Sequence, residues 1–147
     1  PPDAPISMID ARDLARFALL AVPGTFQAPG PSDRDTRADL MAAARAATGS
    51  DARFTYITDE GWLAAQGLQF WTELPLWIPA DDGPATFRCD AAAAEAAGLR
   101  WRPLAETLAD TWAWQRSREG GWQPSPATPG LAADREQHLI TAWAARS

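Results

Sequence analysis

The chain contains no lysine and no asparagine, so all 13 of its basic residues are arginine. Chemistry that needs a lysine is therefore excluded within these residues, whether a Schiff base, a Walker-A phosphate site or a Tyr-x-x-x-Lys proton relay. The single cysteine, Cys89, cannot form an internal disulfide, which fits a reducing cytoplasm. No apolar run approaches the roughly 20 residues that a membrane helix needs, and no secretory signal pattern is present. These absences predict a cytoplasmic protein.

The residues that are present are typical of an acidic globular domain. A length of 147 residues suits one domain, and a composition of 46% hydrophobic and 22% charged residues can bury a core. The formal net charge is −6, whereas nucleic acids and anionic lipid surfaces attract clustered lysine and arginine. We therefore expect neither nucleic acid nor a membrane as a partner.

Apolar spacing and turn residues predict a mixed α/β fold of short strands with about five helices. Asp10 is placed to cap a helix near residues 11–22, and extended runs precede and follow that helix at 5–9 and 25–28. Strand, helix and strand at this spacing predict a βαβ unit. Further strands are predicted at 53–58 and 86–89. The Gly/Pro-rich residues 119–131 are typical of a linker, which divides a region 1–118 from an amphipathic helix at 132–147.

Four segments, in this order, resemble one protein family. They are residues 8–15 (MIDARDLA), 24–31 (GTFQAPGP), 71–79 (WTELPLWIP) and 98–104 (GLRWRPL), the last followed by Glu106-Thr107 and Trp114. Together they resemble the C-terminal, substrate-side region of the NAD-dependent epimerase/dehydratase family, the extended short-chain dehydrogenases/reductases. The segment 71–79 is similar to that of a bacterial oxidoreductase-like subgroup. One departure is Gln27, where the family usually has asparagine.

The resemblance implies part of a Rossmann protein that lacks its nucleotide-binding half. The family's G-x-x-G-x-x-G turn is absent, and Tyr56, the only tyrosine, is followed four residues later by Glu60 and not by lysine. We therefore expect no cofactor to bind this chain alone, with NAD(P) implied for the parent enzyme. The expected partners are the missing N-terminal Rossmann half, in the same or a separate chain, and a small-molecule substrate. A homodimer is an additional expectation.

The resemblance further implies that this region forms one wall of a substrate cleft without being catalytic by itself. Six residues are candidates for substrate binding: Asp10, Arg12, Trp71, Glu73, Trp77 and Arg102. Asp10 and Arg12, with Asp13 beside them, would form a polar cluster at the floor of the cleft. Simpler interpretations stand beside these assignments: Asp10 caps a helix, Arg12 pairs with a neighbouring acid, the tryptophans cover a core, and Arg102 pairs with Glu106 four residues later. The sequence indicates no catalytic or metal-binding residues, since Cys89 and His138 are each the only one of their kind.

Two other functions remain open at this level. The chain could be a free-standing small-molecule-binding or accessory module that has lost the nucleotide-binding half. It could also be a cofactor-free enzyme that uses carboxylates such as Asp10 and Glu73. Nothing in the spacing of these carboxylates requires the second alternative.

Overall fold

The computed structural model describes residues 1–31, 33–69, 72–75, 89–118 and 129–146. Within these ranges the chain forms helices joined by extended and turn segments. The helices are α1 (Ala11–Leu20), α2 (Arg37–Thr48), α3 (Glu60–Ala65), α4 (Ala92–Ala96), α5 (Leu104–Ser117) and α6 (Ala133–Ala144). None of these helices has the length and apolar character needed to cross a bilayer.

The predicted mixed α/β fold is wrong. The described part of the chain is 49% helical and 2% strand and contains no sheet. Residues 25–28 and 53–58 do not form the predicted strands, and the predicted strand at 86–89 falls largely outside the described residues. The predicted βαβ unit is therefore absent.

The pairing of the first extended run shows why no sheet forms there. Pro5 makes an isolated antiparallel bridge with Thr36. The flanking bonds run from the Ile6 N–H to the Asp35 carbonyl (3.1 Å) and from the Arg37 N–H to the Ala4 carbonyl (2.9 Å). A ladder needs an extended partner strand, but α2 begins at Arg37. The helix therefore ends the pairing after one bridge.

Polar side chains cap the starts of α1, α2 and α3. The Asp10 side chain accepts the Arg12 N–H at α1, and the Asp59 side chain accepts the Trp62 N–H at α3. A capping box between Thr36 and Asp39 begins α2. Each cap satisfies backbone N–H groups that have no partner inside the helix. The helix start predicted after Asp10 is confirmed.

The chain divides into two compact units. Unit 2 comprises residues 2–52 and 84–122, and unit 1 comprises residues 53–83 and 123–147 with Pro1. The predicted linker at 119–131 lies mostly outside the described residues.

Unit 2 contains two apolar clusters. In the first, Ile6, Leu40 and Leu104 are buried where α2 packs against α5. In the second, Phe17 of α1 packs with Ala94 and Leu99, and its ring meets Phe26 edge-on with centroids 5.5 Å apart. These contacts tie α1, α4 and the segment 24–31 into one core. The extended run at 25–28 is therefore held by side-chain packing and not by a sheet.

Unit 1 has its own core of Leu63, Leu68 and Leu139, which joins α3 to α6. The indole rings of Trp62 and Trp143 contact each other with centroids 5.3 Å apart. The Arg146 guanidinium lies over both rings and pairs with the Asp59 carboxylate at 3.1 Å. The last helix is thus an integral part of this unit.

Gly30 is buried against the backbone of the first extended run. Its carbonyl accepts a hydrogen bond from the Ser7 hydroxyl at 3.0 Å. A Cβ added at Gly30 would overlap the N, C and O atoms of Met8. Because backbone atoms cannot rotate away as a side chain can, this position has room only for glycine.

We predict that Gly30→Ala lowers the free energy of unfolding by roughly 2 kcal/mol or more, because the new methyl group forces two backbone segments apart. Gly61→Ala is the matched control. Its added Cβ would meet only the Asp59 side chain, at 3.5 Å. Since Gly61 lies in helix α3, the change to alanine should stabilise the protein by about 0.5–1 kcal/mol. Urea denaturation followed by circular dichroism measures both changes, and equal stability of the two variants would contradict the proposed close approach.

Candidate functional site: an arginine–aspartate network between α1 and α5

Asp10 is the buried polar residue on which the network is built, with only 8% of its surface exposed. One carboxylate oxygen, Oδ1, accepts the Arg12 backbone N–H at 2.8 Å and the Arg12 Nε–H at 2.9 Å. The other, Oδ2, accepts the Arg12 guanidinium at 2.7 Å and the Thr107 hydroxyl at 2.9 Å. Both oxygens are therefore satisfied, as a buried charge requires. The Thr107 bond also fixes the start of α1 to α5.

Arg12 bridges two acidic groups. Besides its fork-like contact with Asp10, its guanidinium donates to the Asp110 carboxylate of α5 at 2.6 Å. The Arg12–Asp110 pair is half-exposed on both sides. Arg12 thus extends the network along the surface of α5, where solvent weakens each ion pair.

Arg102, just before α5, holds the other side of α1. Its backbone N–H, Nε and guanidinium nitrogen donate to the Asp13 carboxylate at 2.8, 3.0 and 2.8 Å. Its remaining nitrogen donates to Glu106 at 3.1 Å, and its Nε lies 3.5 Å from Asp10 Oδ2. The expected Arg102–Glu106 pair is thus present, but Asp13 receives more of the hydrogen bonds.

These contacts stabilise the charged forms. Hydrogen bonds from the Arg12 guanidinium hold the pKa of Asp10 well below its usual range, although burial acts in the opposite direction. The Arg102 guanidinium likewise lowers the pKa of Asp13. The bond to Asp10 raises the pKa of Arg12, and the bond to Asp13 raises that of Arg102. All four groups are therefore ionised at neutral pH.

The arrangement limits the chemistry that the site can perform. Four carboxylates (Asp10, Asp13, Glu106 and Asp110) face the two guanidinium groups of Arg12 and Arg102, so the network carries a net negative charge. A carboxyl whose pKa is lowered is a poor general acid and a weak base. Because their donors are already engaged, the arginines are poorly placed to bind a phosphate. The network is suited to holding α1 and α5 together as a rigid support.

The candidate residues are only partly brought together. Asp10, Arg12 and Arg102 meet in unit 2. Glu73 belongs to unit 1, where its carboxylate lies 2.5 Å from Arg135 Nε of α6 and accepts the Gln69 N–H at 2.9 Å. Trp71 and Trp77 lie outside the described residues. Substrate contact by these six residues stays a prediction.

Two residues that the sequence did not single out, Thr107 and Asp110, complete the site. The grouping of Asp13 with Asp10 and Arg12 is expected from the sequence, but the contact of Asp13 with Arg102 is not. The contacts from Asp10 to Thr107 and from Arg12 to Asp110 span 97 and 98 residues. The one available signal was the position of Thr107 inside the segment that carries the family resemblance.

The described residues do not fit a nicotinamide dinucleotide. A pyrophosphate needs free N–H groups at a helix start, reached through a glycine-rich turn. The starts of α1, α2 and α3 are each closed by a side chain of their own, while Glu106 lies in the first turn of α5 and Asp134 and Glu136 in that of α6. The described ranges also hold no group of three or more His, Cys, Asp or Glu residues that could bind a metal ion.

Searches of family models, curated proteins and solved structures find no match to this chain.

We predict that Asp10→Asn lowers the free energy of unfolding by about 3 kcal/mol, because it leaves two arginines facing an uncharged buried group. Asparagine is itself a good helix cap, so the loss reports the ion pairs and not the cap. Asp110→Asn is the control and should cost less than about 1 kcal/mol, since its ion pair is half-exposed. Chemical denaturation of both variants measures the difference. A loss at Asp110 as large as that at Asp10 would contradict the central role of the buried carboxylate.

We also predict that acid weakens unit 2. The pKa values of Asp10 and Asp13 are lower in the folded chain than the value of about 3.9 expected when unfolded. Their contribution is therefore fully present above about pH 4 and is lost as the pH falls below that value towards the folded pKa. Denaturation curves between neutral pH and pH 2 should show this decline, with a shallower one in Asp10→Asn. Equal slopes for wild type and variant would contradict the assignment.

Proposed function

We propose that this chain is the substrate-binding region of an NAD(P)-dependent oxidoreductase of the epimerase/dehydratase type. In this proposal it forms one wall of the substrate cleft. A nucleotide-binding region, in the same or a separate chain, supplies the cofactor and the catalytic tyrosine and lysine. The intact enzyme moves a hydride between nicotinamide and a carbinol or carbonyl carbon.

The observation that carries the proposal is the meeting of three segments on which the resemblance depends. Segments 8–15 and 98–104 join through Arg102 and Asp13, which are 89 residues apart in sequence. Segments 24–31 and 98–104 join through the Trp101 indole N–H, which donates to the Pro29 carbonyl at 2.9 Å. Segments 8–15 and 24–31 meet where Gly30 lies against the Met8 backbone. Residues of a single site are expected to converge in this way, whereas unrelated surface motifs need not do so.

The network then acts as a positioning element. It fixes the start of α1 relative to α5, so that side chains around it keep one geometry when substrate binds. Its negative charge favours an uncharged substrate over a nucleotide sugar, whose diphosphate would need free guanidinium groups. The hydride chemistry itself lies outside these residues, because the chain has no lysine.

We predict that the isolated chain does not bind NADH in isothermal titration calorimetry, because it has no glycine-rich turn and its long helices begin at side-chain caps or acidic turns. The protein produced from its complete native reading frame, with any partner chain that co-purifies, should bind NADH. Energy transfer from the eight tryptophans to bound NADH would report that binding.

Two results would overturn the proposal. One is clear NADH binding by the isolated chain. The other is a native reading frame that has neither a glycine-rich turn nor a Tyr-x-x-x-Lys sequence and whose product purifies without a chain that supplies them. The second result would favour a free-standing accessory module.

A further inference from the structure

Helix α1 has an apolar surface on the side that faces away from its core. Its inner side carries Phe17, which is buried with Ala94 and Leu99. Its outer face consists of Ala11, Leu14, Ala15, Ala18 and Leu19, all of which are exposed. Leu19 is 84% exposed, and beyond it Leu20 and Val22 are 71% and 67% exposed.

The spacing of the outer face is that of a helix interface. Positions 11, 14, 15, 18 and 19 repeat at intervals of three and four residues, which places them along one stripe of an α-helix. The three alanines let a second helix approach closely, while Leu14 and Leu19 supply apolar area to bury. An exposed stripe of this kind on a helix that already has a buried side indicates a docking surface.

The charges beside the stripe limit what can dock there. Arg12 and Arg16 lie on the same flank of the outer face, one helical turn apart. Arg12 is engaged by Asp10 and Asp110. Arg16 is exposed and forms no ion pair with any residue in the described part of the chain. A partner that places a carboxylate beside Arg16 therefore gains a charge pair at the edge of the apolar contact.

A second copy of α1 does not supply that carboxylate. In an antiparallel pair the same flanks face each other, so that Arg16 meets the arginines of the other copy, and the Asp110 carboxylate on that flank is already bonded to Arg12. In a parallel pair the arginine flank faces the side that carries Asp10 and Asp13. Asp10 is buried and Asp13 is partly buried, and both carboxylates are already bonded to Arg12 and Arg102. Both arrangements leave Arg16 without a partner.

We propose that the outer face of α1 binds an amphipathic helix of a partner protein, with an apolar stripe against Leu14 and Leu19 and an acidic residue beside Arg16. This inference stands independently of the proposed oxidoreductase role, since it depends only on the exposure and charge of α1.

The test uses the full chain and synthetic helical peptides of about 20 residues, a length at which a helix can form alone. One peptide has a leucine–alanine face flanked by glutamates, and its control has lysines in their place. We expect the glutamate peptide to bind more tightly by roughly two- to fivefold, the effect of an exposed ion pair. Arg16→Glu should reverse this preference.

Leu19→Glu should weaken binding of the glutamate peptide at least tenfold, because it places a charge in the apolar contact. Ala42→Glu, at an exposed position of α2, is the matched control and should leave binding unchanged. Absence of peptide binding, or binding that Leu19→Glu does not weaken, would overturn the proposal. Self-association of the free chain that Leu19→Glu abolishes would also overturn it. A further contradicting result is binding of the chain to phosphatidylcholine–phosphatidylglycerol vesicles together with equal binding of the two peptides.

Discussion

The buried charge of Asp10 is the constraint on which the architecture of unit 2 depends. A carboxylate with 8% of its surface exposed is costly unless every oxygen is bonded and the charge is compensated. Arg12 compensates the charge from within α1 and Arg102 from just before α5, while the Thr107 hydroxyl of α5 donates a further hydrogen bond. Those partners must stay in place for Asp10 to stay buried. The start of α1 therefore has one position relative to α5, and segment 24–31, held by Trp101 and Phe17, follows it.

Because the buried charge must be fully bonded, the network stabilises the fold but has no group free for a ligand or a proton transfer. Side chains that hold a fold together need satisfied hydrogen bonds, whereas a binding group needs a donor or acceptor left for its ligand. Here the arginines and aspartates satisfy one another, and their shifted pKa values keep them charged. Such a network can orient neighbouring groups, but it is not itself equipped for proton transfer. The proposed role as a positioning element follows from this balance.

Two features of unit 2 concern α1 and the extended runs beside it. No sheet forms in the described part of the chain, and α1 leaves apolar side chains exposed. Residues 5–9 and 25–30 run as extended chain, held by one bridge, side-chain packing and the close approach of Gly30 to Met8. Helix α1, between them, buries Phe17 and leaves Leu14 and Leu19 exposed. A helix that is apolar on two sides is typical of an element that packs against two neighbours. Unit 2 provides one of these neighbours.

The sequence by itself determined the starts of the three capped helices. The caps at Asp10, Thr36 and Asp59 act on N–H groups two or three residues away, so they can be recognised locally. The Arg102–Glu106 pair was predictable for the same reason, because one helical turn separates the two residues. Only the tertiary structure decided that Asp13 is the main partner of Arg102, that Thr107 bonds Asp10, and that the extended runs form no sheet among the described residues. Each of these depends on residues far apart in sequence, and extended chain becomes a strand only when a partner strand lies beside it.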